Sequence, residues 1–135
     1  YPKANDAFAF REKMFEEGNW SSGVLKEGLE RLRTEFAAIA AICAQRSIPL
    51  LVVVIPIRDA VEPGGSSRPE RDPNLPVTKI VSVLGELGIR TVDLTPGLAG
   101  RAVNEVYFAH DGHFTPTGNK LAFESIRREL LRNGE

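Results

Sequence analysis

Residues 48–56 read "IPLLVVVIP". The run is aliphatic and β-branched, carries Pro49 and Pro56 near its ends, and shows no polar alternation. Its length suits a strand, and the lack of alternation predicts one buried on both faces, as in a parallel sheet covered by helices. The flanks agree. Upstream, Leu25, Leu29, Leu32, Phe36, Ile39 and Cys43 follow alternating steps of four and three, which predicts an amphipathic helix over about 21–46. Ser21 is its expected N-cap, with Trp20 and Leu25 placed to form a hydrophobic staple.

Downstream, "PVTKIVSVLGEL" (76–87) has Pro76 at a helix start and Gly88 just past its end. "IRTVDL" (89–94) reads as a second strand, ended by Thr95-Pro96-Gly97. Strand, helix and strand make one βαβ element with an expected right-handed crossover. The expected fold is therefore α/β, a parallel sheet flanked by helices. A last helix over about 116–132 starts with Thr115 as N-cap and Pro116 at its first position, and carries Leu121, Ala122, Phe123, Ile126 and Leu130 as its stripe. Two strands leave both sheet edges open, so the domain is expected to draw further strands from a longer chain.

The remaining segments read as connections. Residues 1–19 mix charge with isolated aromatics and end in Gly18-Asn19, an N-terminal arm with room for a short helix over 7–17. Residues 56–75 hold a Gly-Gly, a Ser-Ser and several prolines, a functional or disordered loop. The chain opens at Tyr1-Pro2 without an initiator methionine, which fits a processed chain or a piece of a longer one.

With 135 residues, 42% hydrophobic and 26% charged, the chain suits one compact domain. Its formal charge of −1, from 17 basic and 18 acidic residues spread along the chain, gives no footprint for nucleic acid or an anionic membrane. No apolar run approaches the roughly 20 residues of a bilayer span. The single cysteine, Cys43, excludes an internal disulfide and leaves the compartment open, an extracytoplasmic parent chain included.

Both histidines fall in "HDGHFTPTG", residues 110–118. An aspartate two residues before a histidine, in a turn eased by Gly112, can accept a bond from imidazole Nδ1–H. That fixes the tautomer and stabilises the imidazolium formed when Nε2 takes a proton. Asp111 and His113 thus have the chemistry of a general-base pair, and a plain capping turn before the last helix is the other reading. A metal site of His110, Asp111 and His113 is disfavoured, because three ligands within four residues do not converge on one ion without help from elsewhere.

The run "VYFAHDGHFTPTGNKLAFESI" (106–126) resembles the last motif block of the SGNH (GDSL-type) hydrolase superfamily, where an Asp and a His precede a hydrophobic-x-x-x-Gly step and the final helix. The resemblance covers about residues 20–135. The commonest form of the block has Asp three residues before His. Here that place is His110, so the match is to the Asp-x-His form, similar to the alginate O-acetyltransferase-like branch, with Phe114 where that branch usually has Trp.

The resemblance implies a partial SGNH/flavodoxin-like three-layer sandwich, His113 as general base, Asp111 as its orienter, and Gly118 as the point where the last helix approaches the turn. It implies no cofactor and no metal, and a small O-acyl ester substrate on a carbohydrate or lipid. The family's Gly-Asp-Ser nucleophile is missing: Ser21, Ser22, Ser47, Ser66, Ser67, Ser82 and Ser125 all lie off any strand-to-helix elbow. Asn5-Asp6 is a faint match to the family's Gly-x-Asn-Asp block, with Lys3 where Gly is expected. The chain is therefore expected to be the C-terminal portion of such a domain, its serine upstream, and to be inactive on esters alone. His110, Arg58 and Asp59 are candidate rim residues, although for the last two a salt-bridged loop base is the favoured reading. The competing function is a non-catalytic binding module using the same rim and the 56–75 loop.

Overall fold

The computed structural model describes residues 10–62 and 71–132. Asn5-Asp6, the first part of the N-terminal arm, and Ser66-Ser67 of the proline-rich loop lie outside the described residues.

A 3₁₀ turn, Glu17–Trp20, leads into α1, Gly23–Gln45. Helix α1 begins later than the stripe suggested. Ser21 is spent in the preceding turn, where its Oγ donates to Gly18 O at 2.8 Å, and Ser22 takes the N-cap position. Strand β1, Leu51–Val54, is followed by a single turn, α2, Arg58–Val61. Then come α3, Leu75–Glu86, and β2, Arg90–Asp93. Two further single turns, α4, Thr95–Leu98, and α5, Val103–Val106, lead to α6, Pro116–Arg132.

Both strands are entered through the same backbone device. After α1, the Ile48 and Ser47 N–H groups donate to Cys43 O and Ala44 O at 2.9 and 3.1 Å, with Ser47 at φ +53°. After α3, the Ile89 and Gly88 N–H groups donate to Leu84 O and Gly85 O at 2.9 and 3.0 Å, with Gly88 at φ +67°. These are Schellman closures, which satisfy the last helical carbonyls and turn the chain back along the helix.

The strands pair in parallel, Leu51 with Arg90 through Val54 with Asp93. Side-chain alternation then divides the interior. Leu51, Val53 and Val92 join Leu94, Leu98, Val106, Tyr107 and Ala122 on the α6 side. Val52, Val54 and Ile89 join Phe36, Ala40, Val77, Ile80 and Leu84 on the α1 and α3 side. The result is a three-layer α/β/α sandwich, as the uninterrupted valines predict. The strand is shorter than "IPLLVVVIP" because the ladder stops where β2 stops, and Ile48 and Ile55 lie outside it, both more than half exposed.

Two stripes are less buried than their periodicity suggests. On α1, Leu25 is buried, whereas Ile39 is exposed. On α6, Ala122 is buried with Leu121 and Ile126 against it, but Phe123 is 61% exposed, which removes it from the predicted stripe. The described end of the N-terminal segment is tied down. Phe15 is buried, its carbonyl accepts the Asp72 N–H at 2.8 Å, and Arg71 pairs with Glu12 and Glu16.

Candidate functional site

The chain leaves α5 at Val106 and forms a closed turn before α6. Tyr107 and Phe114 make an antiparallel bridge, and Phe108 N–H donates to His113 O at 3.0 Å. Pleating sends Tyr107 and Phe114 to one side, where their rings meet at 4.9 Å between centroids, and residues 108–113 project outward. Phe114, standing where the related branch has Trp, therefore faces inward and packs on the core.

Three features fasten this turn. Thr115 caps α6, accepting the Gly118 N–H on its Oγ1 at 3.1 Å, while its own N–H donates to Val106 O at 2.9 Å. Gly118 lies so close to the end of α5 that a Cβ would fall 2.2 Å from Val106 O and 3.1 Å from the Phe114 ring. Tyr107, 2% exposed, donates its hydroxyl to Pro56 O just beyond β1, which brings the turn to the carboxyl rim of the sheet.

Burial of Tyr107 pushes its phenol up to about 12 from its ordinary 10.0. A group whose folded value is raised adds stability that is complete below its unfolded value and lost as pH rises through the folded one. The unfolding midpoint is therefore expected to fall between about pH 10 and 12, and Tyr107→Phe to flatten that fall. The same variant leaves the Pro56 carbonyl without its donor, at a cost of about 1–3 kcal/mol at neutral pH. Thermal melts across that pH range check both effects.

Within the turn, the Asp-x-His spacing has a direct geometric meaning. The Asp111 carboxylate folds back so that Oδ1 accepts the His113 backbone N–H at 2.9 Å, an Asx turn. The same oxygen lies 3.3 Å from His113 Nδ1. One carboxylate thus shapes the backbone and faces the ring. The His113 N–H chiefly holds the Asp111 carboxyl below its usual range, helped by the His113 ring and the charge of His110 against partial desolvation. By linkage, what this ionised carboxylate contributes to the turn is present above the ordinary carboxylate range and is lost as pH falls through the lowered value.

His113 and Asp111 are 85% and 53% exposed, so the Nε2 side of the ring is open. Beside them lies a cleft of about 490 Å³, lined by Arg11, Ile57, Arg58, His110, Asp111 and Gly112 among others. His110 lines this cleft, whereas His113 follows Gly112 in the chain without lining it. Arg58 and Asp59 reach the rim already engaged. Arg58 donates to Ala109 O at 2.6 Å and to Asn104 Oδ1 at 2.7 Å, and Asp59 pairs with Arg11 at 3.6 Å. Neither Arg11 nor Asn104 was singled out by the sequence, since neither carries a spacing signal. Asp93 acts as a turn former, accepting the Thr95 N–H at 2.8 Å. Among the described residues, no three His, Cys, Asp or Glu side chains gather around one point suited to a metal ion. Among the described residues, too, no helix is long and apolar enough to cross a membrane.

A parallel sheet sandwiched by helices, with an Asp-x-His turn on its carboxyl rim directly ahead of the last helix, places this domain among the SGNH hydrolase-like α/β proteins. A family model described as the SGNH hydrolase-like domain of the acetyltransferase AlgX matches residues 14–135, and the chain belongs to that family. The match takes in residues 14–19, which the sequence alone set apart as an arm. No curated protein and no solved structure matches significantly.

Proposed function

We propose that this domain supplies the acid–base half of an acyl-transfer site, with His113 as general base and Asp111 as its orienter. The observation that carries the reading is the single carboxylate oxygen shared by the His113 backbone N–H and ring Nδ1. A serine from outside the described residues attacks the ester carbonyl. Nε2 of His113 takes the serine proton and returns it to the departing alcohol as the acyl-enzyme forms, and Asp111 steadies the imidazolium between these events. The family's description as an acetyltransferase favours a small O-acetyl group, carried by a carbohydrate or a lipid.

Asp111→Asn tests this in the full-length chain with p-nitrophenyl acetate. The Asn side-chain oxygen still accepts the His113 N–H, so the turn survives, but no charge faces the imidazolium. Turnover is expected to fall about 100-fold, less than for a buried triad because this pair is open to solvent. Asp111→Ala removes the turn as well and falls further. Wild-type turnover in Asp111→Asn rejects the orienting role.

A further inference from the structure

We propose that Arg58 is a positioning residue for the acid–base turn rather than a substrate-binding one. It rests on His113 acting as the base. Arg58 opens α2, four residues past Val54 at the end of β1, yet its guanidinium reaches across the rim to the segment that leads into the turn. Nη1 donates to Ala109 O at 2.6 Å and more weakly to Phe108 O at 3.4 Å, and Nη2 donates to Asn104 Oδ1 at 2.7 Å. The acceptors lie on both sides of Tyr107, so the fork spans the point where the chain enters the bridge with Phe114.

The need for such a brace follows from the rest of the turn. The Phe108 to His113 and His113 to Asp111 hydrogen bonds are internal to it, and the two side chains of interest are largely exposed. Tyr107 and Phe114 anchor its base in the core. Beyond that base, Arg58 joins the outward stretch at Phe108 and Ala109 to the carboxyl end of β1. All three acceptors are neutral oxygens, so geometry rather than ion pairing decides the contact. A planar fork serves two separated acceptors at once, whereas a lysine ammonium is a single point on a flexible stem. A displacement of about 1 Å at a reacting group is enough to cost 100-fold in rate.

The test compares Arg58→Lys and Arg58→Met in the full-length chain, with Asn104→Ala as a milder variant that removes only one acceptor. Two quantities are read: kcat and KM for p-nitrophenyl acetate, and amide hydrogen exchange at Phe108 relative to Val53 and Val92 in the sheet. The expected result for both Arg58 variants is a kcat lowered about 10-fold to 100-fold with KM nearly unchanged. Exchange at Phe108 should be at least about 10-fold faster with the sheet unaffected. Asn104→Ala should move both quantities the same way, by less. A normal kcat in Arg58→Lys together with a raised KM in Arg58→Met overturns the proposal in favour of a charge that meets substrate. Unchanged Phe108 exchange in all three variants also overturns it, as does faster exchange without a fall in kcat. If His113→Ala keeps full turnover, the proposed function fails, while the exchange measurement still decides whether Arg58 holds the turn.

Discussion

Replacing His113 by alanine in the full-length chain is expected to lower p-nitrophenyl acetate turnover about 1,000-fold and to leave the unfolding midpoint where it was. The first part follows from the proposed role: general acid–base catalysis contributes about 10²–10⁴-fold, and a nucleophile without its base loses a cooperating partner as well. The second follows from the environment. The imidazole is 85% exposed and, among the described residues, has Asp111 alone as a polar side-chain partner, while the backbone N–H that shapes the Asx turn survives in alanine. Surface changes of this kind stay within about 0.5 kcal/mol. His110→Ala is the internal control. It lines the cleft beside Asp111, so a modest change in KM is expected and a loss of kcat comparable to that of His113→Ala is not. Unaltered turnover in His113→Ala rejects the assigned base outright.

Gly118→Ala is expected to destabilise the domain by about 3 kcal/mol, a drop of roughly 10 °C in the unfolding midpoint. The sign is the informative part. At an exposed helical site, Gly→Ala stabilises by about 1 kcal/mol through reduced backbone entropy and better propensity. At position 118 the new methyl would sit 2.2 Å from Val106 O, and that carbonyl is held by the Thr115 N–H at 2.9 Å. Relief requires moving α6 away from the end of α5, which leads into the turn, or breaking the bond that starts the helix. Gly28→Ala, on the outer face of α1 with nothing within 4 Å of its would-be Cβ, should instead raise stability by about 0.5–1 kcal/mol. Calorimetry of the two variants separates close helix approach from helix propensity, and equal stabilisation by both would refute the packing drawn for Gly118.

Residues with strong local chemistry were legible in the sequence. "TPTG" marked the start of α6 because Thr, Pro and Gly each act within one helical turn, and Pro116–Arg132 is the helix observed. The strands were recognisable for their aliphatic composition but not their ends, since Ile48 and Ile55 differ from Val52 only in where the partner strand runs. Turns α2, α4 and α5 went unseen, each a single turn too short to carry a period. Asp111 and His113 were readable because their relation is local, two residues apart. What holds them is not local. Tyr107, Pro56, Asn104 and Arg58 have no spacing in common, and only the folded chain brings them to one rim.

That non-locality bears on when the site comes into being. The Tyr107 hydroxyl to Pro56 and Arg58 to Ala109 bonds each close a span of 51 residues. Loop-closure entropy delays contacts of such separation, whereas helix turns and the Asx turn itself form on much shorter timescales. During synthesis and folding, then, the Asp-x-His turn can take its local shape early, but it has no address on the sheet until these two bonds across the rim have closed.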